Sequence, residues 1–400
     1  MSRLPVHDWS IDFDHFDAHW TEDPFQLWNA LRAICPVPTS QRFEDGAYVP
    51  LRYADIHAIA YDTEHFSSKR IIVREKKLPI KGMPPITSDP PSHTAARRLL
   101  LPPFAPKEVA KLEPHIRAIA RELLDGLDGR SEVDAAVEYA QHLPVLVIAH
   151  MFGIDASKAD SFRSWIYSLG TASVHDPAEG LRAMEEMSAF FMQHVEQRRT
   201  TPDDGLITYL MNAEINGEAL SDQHIIGTLG LLLIAGIETT WSALGASLWH
   251  IAAHADDRRR LLAEPELLPT AIEEFLRAYS PVTMAREVVT DTTVGGCPYK
   301  AGGQVLLSYP AANRDPDKFD DADKVIIDRA HNPHAAFGLG RHRCLGSNLA
   351  RLELRVALEE WLARFPNVEL APNTHVAWSE GQLRGPKVLP VRILEPESNA

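Results

Sequence analysis

A single long helix is the dominant structural signal in this chain. An apolar run extends from Ile225 to Ile237, and helical periodicity continues around it from Ser221, a suitable N-cap, to about His254. At about 1.5 Å per residue this helix is roughly 50 Å long, enough to cross a whole domain. Because nearly every face of the run is apolar, we expect the helix to be buried. The run is shorter than the roughly 18–20 residues that span a bilayer.

The remaining segments predict a mainly α fold with a minor β lobe. Helical periodicity dominates from His93 to about Ala253. Strand patterns lie near residues 40–60, where Asp45-Gly46 predicts a hairpin turn, and near residues 285–310 and 375–395. No linker or repeat divides the chain, so we expect a single domain over residues 1–400 with a short tail of about residues 1–20.

Composition excludes several classes of protein. The net charge of −15 gives no general basic field for nucleic acid. Three cysteines are too few for a disulfide framework and are typical of a reducing compartment. The first residues contain no apolar signal core. We therefore expect a soluble, cytoplasmic protein without a membrane anchor.

One cysteine lies in a loop rich in glycine. Residues 337–350 read Phe-Gly-Leu-Gly-Arg-His-Arg-Cys-Leu-Gly-Ser-Asn-Leu-Ala, with Cys344 followed at once by an apolar helical pattern. Glycines permit tight turns and close backbone approach, and a following helix N-terminus stabilises a thiolate. This arrangement suits an axial ligand to haem iron. A zinc site at His342 and Cys344 is disfavoured because no second ligand pair stands at suitable spacing.

This loop resembles the cysteine-ligand loop of the cytochrome P-450 superfamily, whose pattern is Phe-Gly-x-Gly-x-His/Arg-x-Cys-x-Gly. The resemblance implies a helical triangular prism around a buried haem b, iron protoporphyrin IX. It also implies that Cys344 ligates the iron and that Phe337 and Gly338 belong to the cofactor-binding loop.

The long helix contains the polar sequence Ala235-Gly-Ile-Glu-Thr-Thr240. Its small residues followed by an acid and hydroxyls suggest a local opening of the helix, although such a pattern taken alone is more often a satisfied polar patch in a core helix. The same family resemblance assigns roles here. Ala235 and Gly236 leave room for dioxygen, Thr239 hydrogen-bonds the dioxygen and an ordered water, and Glu238 relays protons from solvent.

A second family motif is Glu274-Phe-Leu-Arg277, whose spacing of three places acid and base on one helix face. Alone, such a pair is most often solvated and weak. The resemblance implies instead a buried pair joined by Arg329, which fixes the chain behind the cysteine loop.

Four further residues match the family's partners for the haem propionates. His93 and Arg97 share one helix face, and Arg286 and His342 match the remaining two. Each has a surface-residue alternative, but together they are consistent with one cofactor.

The resemblance implies a monooxygenase that inserts one atom of O2 into a small apolar or amphiphilic substrate. Because the sequence contains no flavin or iron–sulfur motif, we expect a separate ferredoxin and an NAD(P)H-dependent ferredoxin reductase to supply the electrons. We also expect a monomer. The expected docking patch is Arg97, Arg98, Arg341, Arg343 and Arg351. A peroxide-driven peroxygenase, a haem gas sensor and a haem-thiolate isomerase or reductive enzyme are the alternatives.

The substrate remains open at the sequence level. The resemblance places the pocket walls in residues 71–86, Leu232, Leu233, and residues 282–285 and 380–384. A substrate carboxylate would have Arg74, Lys76, Lys77 and Arg384 as candidate partners, although such residues are more often solvated.

Overall fold

The computed structural model describes residues 4–75, 82–173, 176–379 and 381–394. Within these residues we number the α-helices α1 to α15. They are Ala18–Thr21, Pro24–Ile34, Tyr53–Tyr61, Ser92–Leu100, Pro106–Ala110, Glu113–Asp125, Leu143–Phe152, Ala159–Tyr167, Pro177–Thr200, Leu206–Met211, Asp222–Ala253, Ala255–Ala263, Leu268–Ala278, Tyr309–Ala312 and Ser347–Arg364. Two π-helical turns, Ala136–Ala140 and Ser168–Ala172, extend this framework.

The strands are short and come from distant parts of the chain. In order, β1 to β12 are Thr39–Ser40, Ala47–Tyr48, Phe66–Ser67, Glu132–Asp134, Glu214–Ile215, Glu218–Ala219, Thr283–Val288, Thr292–Val294, Cys297–Tyr299, Gln304–Ser308, Val368–Leu370 and Pro390–Ile393. A five-stranded sheet has the order β1-β2-β10-β7-β3, and a three-stranded sheet has the order β11-β12-β4. The fold is therefore mainly α with a small β component, as predicted.

The strand segments expected in one lobe are distributed over separate sheets. Segments near residues 40–60 and 285–310 contribute to the five-stranded sheet, whereas the 375–395 segment contributes β12 to the three-stranded sheet. The hairpin turn at Asp45 and Gly46 is present, with φ of 60° and 77°. Its first strand is β1, earlier than the pattern suggests, so a six-residue connection (41–46) links β1 to β2.

Helix α11 is the central element. The Ser221 hydroxyl caps it by accepting a hydrogen bond from the His224 N–H, and the helix continues unbroken to Ala253. Its length and composition alone would allow it to cross a membrane, but 56% of its most apolar window is buried inside the molecule. It packs against α7, α9, α13 and α15. Burial of its apolar faces explains the helix without a membrane.

Candidate active site

A large cavity lies between α11 and the loop that precedes α15. Its volume is about 1760 Å³, and most of its lining side chains are apolar. Thr239 on one side and Cys344 on another both line it. Pockets for a single small molecule usually measure roughly 300–1000 Å³, so this cavity has room for a large cofactor together with a substrate.

The loop before α15 presents Cys344 to this cavity. The Cys344 N–H donates a 2.7 Å hydrogen bond to the Phe337 carbonyl and so closes the loop. Gly338 and Gly340 have φ of 70° and 67°, a region that other L residues rarely adopt. A Cβ on Gly340 would also overlap the carbonyl oxygen of Ala60. Glycine is therefore required where the loop packs on α3.

The surroundings of Cys344 act on its thiol in opposite directions. The Cys344 side chain is exposed to the cavity, and protein atoms surround it on its other sides. Burial raises the pKa of Cys344, whereas the Gly346 N–H and the guanidinium groups of Arg97, Arg343 and Arg351 lower it. Burial is the larger effect, so the pKa of Cys344 is raised overall, and the basic groups with the adjacent start of α15 offset only part of the cost of a buried thiolate.

Four basic side chains from three separate segments form a cationic cradle at the same cavity. His93 and Arg97 lie on α4, Arg286 lies on β7, and His342 lies in the cysteine loop. The His93 and His342 ring centroids are 4.2 Å apart. Arg97, Arg286 and His342 line the cavity directly, and His93 is buried behind His342. The structure thus brings together all four residues that the sequence assigns to the propionates.

The cradle has unsatisfied polar groups. Among the described residues, neither ring nitrogen of His93 nor Nε2 of His342 has a hydrogen-bond partner. Arg286 donates to the Ala285 carbonyl at 2.7 Å and Arg97 to the Arg343 carbonyl at 2.6 Å; in the described chain, neither forms an ion pair. Burial and the nearby positive charges of Arg286, His93 and Arg97 lower the pKa of His342 to about 3. A cofactor with two carboxylates fits this cradle.

Helix α11 contributes Glu238 and Thr239 to the cavity. The Thr239 hydroxyl donates a 2.7 Å hydrogen bond to the Ala235 carbonyl, so its lone pairs remain available to accept. Burial raises the pKa of Glu238 to about 8. A Cβ on Gly170 would lie only 2.7 Å from Oε2 of Glu238, so the π-helical turn Ser168–Ala172 packs directly on this carboxyl group.

One expectation for this part of α11 needs correction. The helix has no opening at Ala235–Thr240, because the Thr239 hydroxyl bonds to Ala235 within a continuous helix. Ala235 and Gly236 both line the cavity. The missing side chain of Gly236 also allows close helix packing, since a Cβ there would lie 2.7 Å from Cδ1 of Ile148.

The predicted ion network is present and buried, away from the cavity. Glu274 accepts two 2.8 Å hydrogen bonds from Arg277 and one of 3.0 Å from Arg329. The Asn332 amide and the Ile326 N–H complete its shell at 3.0 and 2.8 Å. Arg277 also donates to the carbonyls of Asn313, Ala322 and Lys324. The pair therefore links α13 to the irregular segment that leads to the cysteine loop.

The predicted substrate walls are only partly correct. Leu232 lines the cavity, whereas Leu233 faces the core because it lies about 100° further round the helix. The described cavity-lining members of the other wall segments are Ile71, Ile72, Arg74, Glu75, Met83, Pro85, Ile86, Val282, Met284, Gln382 and Leu383. Lys76, Lys77 and Glu380 lie outside the described residues.

Arg384 is not a cavity residue, contrary to the prediction. It donates to the carbonyls of Thr21 and Glu22, at 3.1 and 2.9 Å, and its guanidinium lies 4.1 Å from the Trp378 ring centroid. These contacts join Thr21 and Glu22, near the N-terminus, to the C-terminal segment that contains Arg384. Arg74, in contrast, lines the cavity.

Two features near the cysteine loop are not evident from the sequence analysis. Glu353 on α15 lines the cavity, is fully buried and has no partner for either carboxyl oxygen in the described chain; burial raises its pKa well above the ordinary value. The sequence indicates this burial only through the position of Glu353, four residues after Leu349 on the apolar face of α15. Arg351 forms a bidentate pair with Glu273, at 2.6 and 2.7 Å, and lies over the Phe337 ring.

Comparison with known proteins agrees with this geometry. The family model described as cytochrome P450 matches residues 175–387. The chain is 36% identical to mycinamicin IV hydroxylase/epoxidase of Micromonospora griseorubida, over 87% of this chain and 90% of that protein. It is 35% identical to the vitamin D(3) 25-hydroxylase of Pseudonocardia autotrophica, over 90% of both.

Solved structures show the same fold. The structure of CYP109E1 from Bacillus megaterium in complex with testosterone superimposes with a TM-score of 0.86 at 31% identity, covering 93% of this chain and 98% of that one. A cysteine thiol and a cradle for two carboxylates on one cavity are what a haem-thiolate enzyme requires. This chain belongs to the cytochrome P450 family and is a haem b-containing monooxygenase.

Proposed function

We propose that Cys344 is the axial thiolate ligand of the haem and that His93, Arg97, Arg286 and His342 hold its propionates. The observation that carries this assignment is a cradle of four basic groups beside a thiol on one cavity, in which no member forms an ion pair among the described residues. Phe337 and Gly338 shape the loop behind the thiolate. The whole chain, residues 1–400, acts as one catalytic domain.

Haem b with a thiolate ligand supplies the activation of O2, so that one oxygen atom enters the substrate and the other leaves as water. The protein's part is proton delivery and substrate positioning. With a pKa of about 8, the Glu238 carboxyl carries a proton at neutral pH and releases it towards the cavity. The Thr239 oxygen accepts a hydrogen bond from water beside Ala235 and so continues the path. Glu238 and Thr239 are therefore the proposed catalytic residues.

The proposed substrate is a small apolar or amphiphilic organic molecule. The cavity lining is mainly apolar and includes many Ile, Leu and Met side chains, which favour apolar burial. The relatives named above are a mycinamicin hydroxylase/epoxidase, a vitamin D hydroxylase and a protein crystallised with testosterone. This range supports lipophilic substrates without selecting one scaffold.

Electrons come, in this proposal, from a ferredoxin reduced by an NAD(P)H-dependent reductase. Arg98, Arg341 and Arg343 are exposed around α4 and the cysteine loop, and they would meet an acidic ferredoxin. Arg97 and Arg351 contribute less, because Arg97 points into the cavity and Arg351 is paired with Glu273. The enzyme acts as a soluble, cytoplasmic monomer.

The test is a CO difference spectrum of the dithionite-reduced protein, with Cys344→Ala and Cys297→Ala variants in parallel. We expect the strongly red-shifted Soret band of thiolate-ligated haem in the native protein and in Cys297→Ala, and its loss in Cys344→Ala. A band typical of histidine-ligated haem, or retention of the shifted band in Cys344→Ala, would refute the ligand assignment. Oxygen uptake with NADPH, reductase and ferredoxin then separates a monooxygenase from a peroxygenase, sensor or isomerase.

A further inference from the structure

The cationic side chains of the cavity are not equivalent. Outside the haem cradle, the described lining includes Arg42, Arg70 and Arg74. Arg42 pairs with Asp12 at 2.6 Å, and Arg70 pairs with Glu287 at 3.0 Å. Both positive charges are therefore compensated within the protein.

Arg74 has no such partner. Its guanidinium makes one long hydrogen bond, 3.3 Å from Nη2 to Oγ of Ser173, and no described carboxylate, including the adjacent Glu75, forms an ion pair with it. Its backbone is fixed on both sides by the buried Gln304 side chain, which accepts from the Arg74 N–H and donates to the Arg74 carbonyl. Burial without a counter-ion lowers the pKa of Arg74. Four of its five N–H groups remain available to a ligand.

A hydrogen bond to the backbone orients the Ser173 hydroxyl beside Arg74. The Ser173 hydroxyl donates to the Leu169 carbonyl at 2.6 Å, so the oxygen that faces Arg74 acts as an acceptor. Ser173 is buried and packs closely on Gly180: a Cβ added to Gly180 would lie only 2.7 Å from the Cβ of Ser173. The guanidinium is thus held by Ser173, which follows the π-helical turn and packs on α9, and the cavity lining also includes the apolar side chains of Leu169, Ile72 and Met184.

We propose that Arg74 binds the carboxylate of an amphiphilic acid, whose apolar body occupies the adjoining cavity and is oxidised there. A half-buried guanidinium without a counter-ion is costly, and a carboxylate that binds through two parallel N–H bonds removes that cost. This inference rests on the proposed monooxygenase function and adds the chemical class of the substrate. It also distinguishes Arg74 from Arg384, whose guanidinium is occupied by backbone carbonyls.

The test compares matched ligands that differ only in the headgroup. Haem-loaded protein is titrated with dodecanoic acid and dodecanol, and with a steroid carrying a side-chain carboxylate and its corresponding alcohol, and the shift of the Soret band reports binding. We expect the acids to bind roughly 10- to 100-fold more tightly than the alcohols, the range for a charge-assisted hydrogen bond. Arg74→Gln should remove this preference by weakening only the acids, and Arg74→Lys should retain part of it.

Arg70→Lys is the matched control, since Arg70 also lines the cavity and a lysine keeps the positive charge that pairs with Glu287; its headgroup preference should equal that of the native protein, whereas Arg74→Lys should lose part of it. Equal affinity for acids and alcohols in the native protein, or an equal loss for both in Arg74→Gln, would overturn the proposal. So would failure of every acid to bind. Each of these results leaves the monooxygenase assignment standing if the CO difference spectrum shows thiolate-ligated haem and oxygen uptake depends on reductase and ferredoxin, so the two proposals fail separately.

Discussion

At the scale of single residues, two buried glutamates show how neighbours decide the role of a carboxyl group. Glu238 is surrounded by apolar atoms and the Gly170 backbone, and burial alone raises its pKa to about 8. Burial would raise the pKa of Glu274 as well, but hydrogen bonds and the charge of Arg277 hold it below the ordinary value. One carboxyl group can therefore carry a mobile proton near neutral pH, and the other is a permanent anion that holds structure.

Glu238 makes the folded protein sensitive to pH. Because its folded pKa of about 8 exceeds the ordinary 4.5, the folded state keeps a proton that the unfolded chain has lost between these values. Its stability contribution is fully present below about pH 4.5 and declines as the pH rises through about 8, by up to a few kcal/mol. We expect Glu238→Gln to gain stability relative to the native protein as the pH is raised from 5 to 9, measured as the thermal midpoint.

Glu185→Gln serves as the control for this pH effect, because Glu185 also lines the cavity but is exposed. It should follow the native pH curve. Parallel curves for the native protein and Glu238→Gln would mean that water hydrates the carboxylate well enough to cancel its burial. Slower product formation by Glu238→Gln alone would not test this point, since removal of the acid also interrupts the proposed proton path.

At the scale of elements, the Glu274 network joins α13 to the segment behind the cysteine loop. Glu274→Ala leaves Arg277 and Arg329 without their shared anion in a buried site. Loss of one partner of a buried pair typically costs about 3–5 kcal/mol. We expect this variant to lose haem, measured as the ratio of Soret to protein absorbance in the purified protein.

Asp321→Asn is a matched control for that network, because it removes the charge of an exposed pair with Lys324 in the same segment while asparagine tolerates the φ of 49° at this position. Such a pair contributes at most about 1 kcal/mol, so haem content should be unchanged. Full haem content in Glu274→Ala would show that the network does not support the cysteine loop.

Sequence patterns predict long elements better than short ones. The start and end of α11 follow from the Ser221 cap and the apolar run, and the structure places both within a residue of expectation. Strands β1, β2 and β3 have two residues each, too few for a periodic pattern, and they exist because distant segments supply their hydrogen bonds. The opening predicted in α11 fails for a local reason, since Thr239 bonds within the helix instead of interrupting it.

The site was predictable where a motif fixes its residues and unpredictable where only tertiary packing does. His93, Arg97, Arg286 and His342 come from motif matches and meet at one cavity. The sequence offers Arg74, in the basic stretch of residues 74–77, and Arg384 equally as partners for a substrate carboxylate. Only the fold shows that Arg74 lies in the cavity without an ion pair to any described residue, whereas Arg384 is held by backbone carbonyls.

At the scale of the whole molecule, charge is distributed unevenly. The chain carries a net charge of −15, yet Arg98, Arg341 and Arg343 are exposed on and near the loop that holds Cys344. A local basic surface on an acidic protein can orient an acidic partner while the remaining surface repels it. Net charge alone therefore says little about how a redox partner would approach.

This distribution predicts salt-sensitive electron delivery. We expect the rate of haem reduction by a reduced acidic ferredoxin to fall with rising ionic strength, because the Debye length shortens from about 10 Å at 0.1 M to about 3 Å at 1 M. Arg98→Glu combined with Arg341→Glu should lower the rate at low salt at least about 10-fold, measured by stopped flow under CO. Arg259→Glu, which changes an exposed arginine on α12, should have little effect; a rate independent of salt would exclude the proposed patch.

The cationic cradle also bears on how the protein accumulates in a cell. Its four basic groups come from positions 93 to 342 and lie close together; the described carboxylate whose charge acts on them, Asp89, forms no ion pair with His93 or Arg286. A newly made chain must hold the guanidinium groups of Arg97 and Arg286 beside two histidines that burial keeps neutral until a dianionic group binds, and binding of that group is then part of the folding free energy. The consequence is a dependence on supply: chains made faster than haem is delivered remain partly open and exposed to proteases, so the amount of enzyme follows the availability of its cofactor.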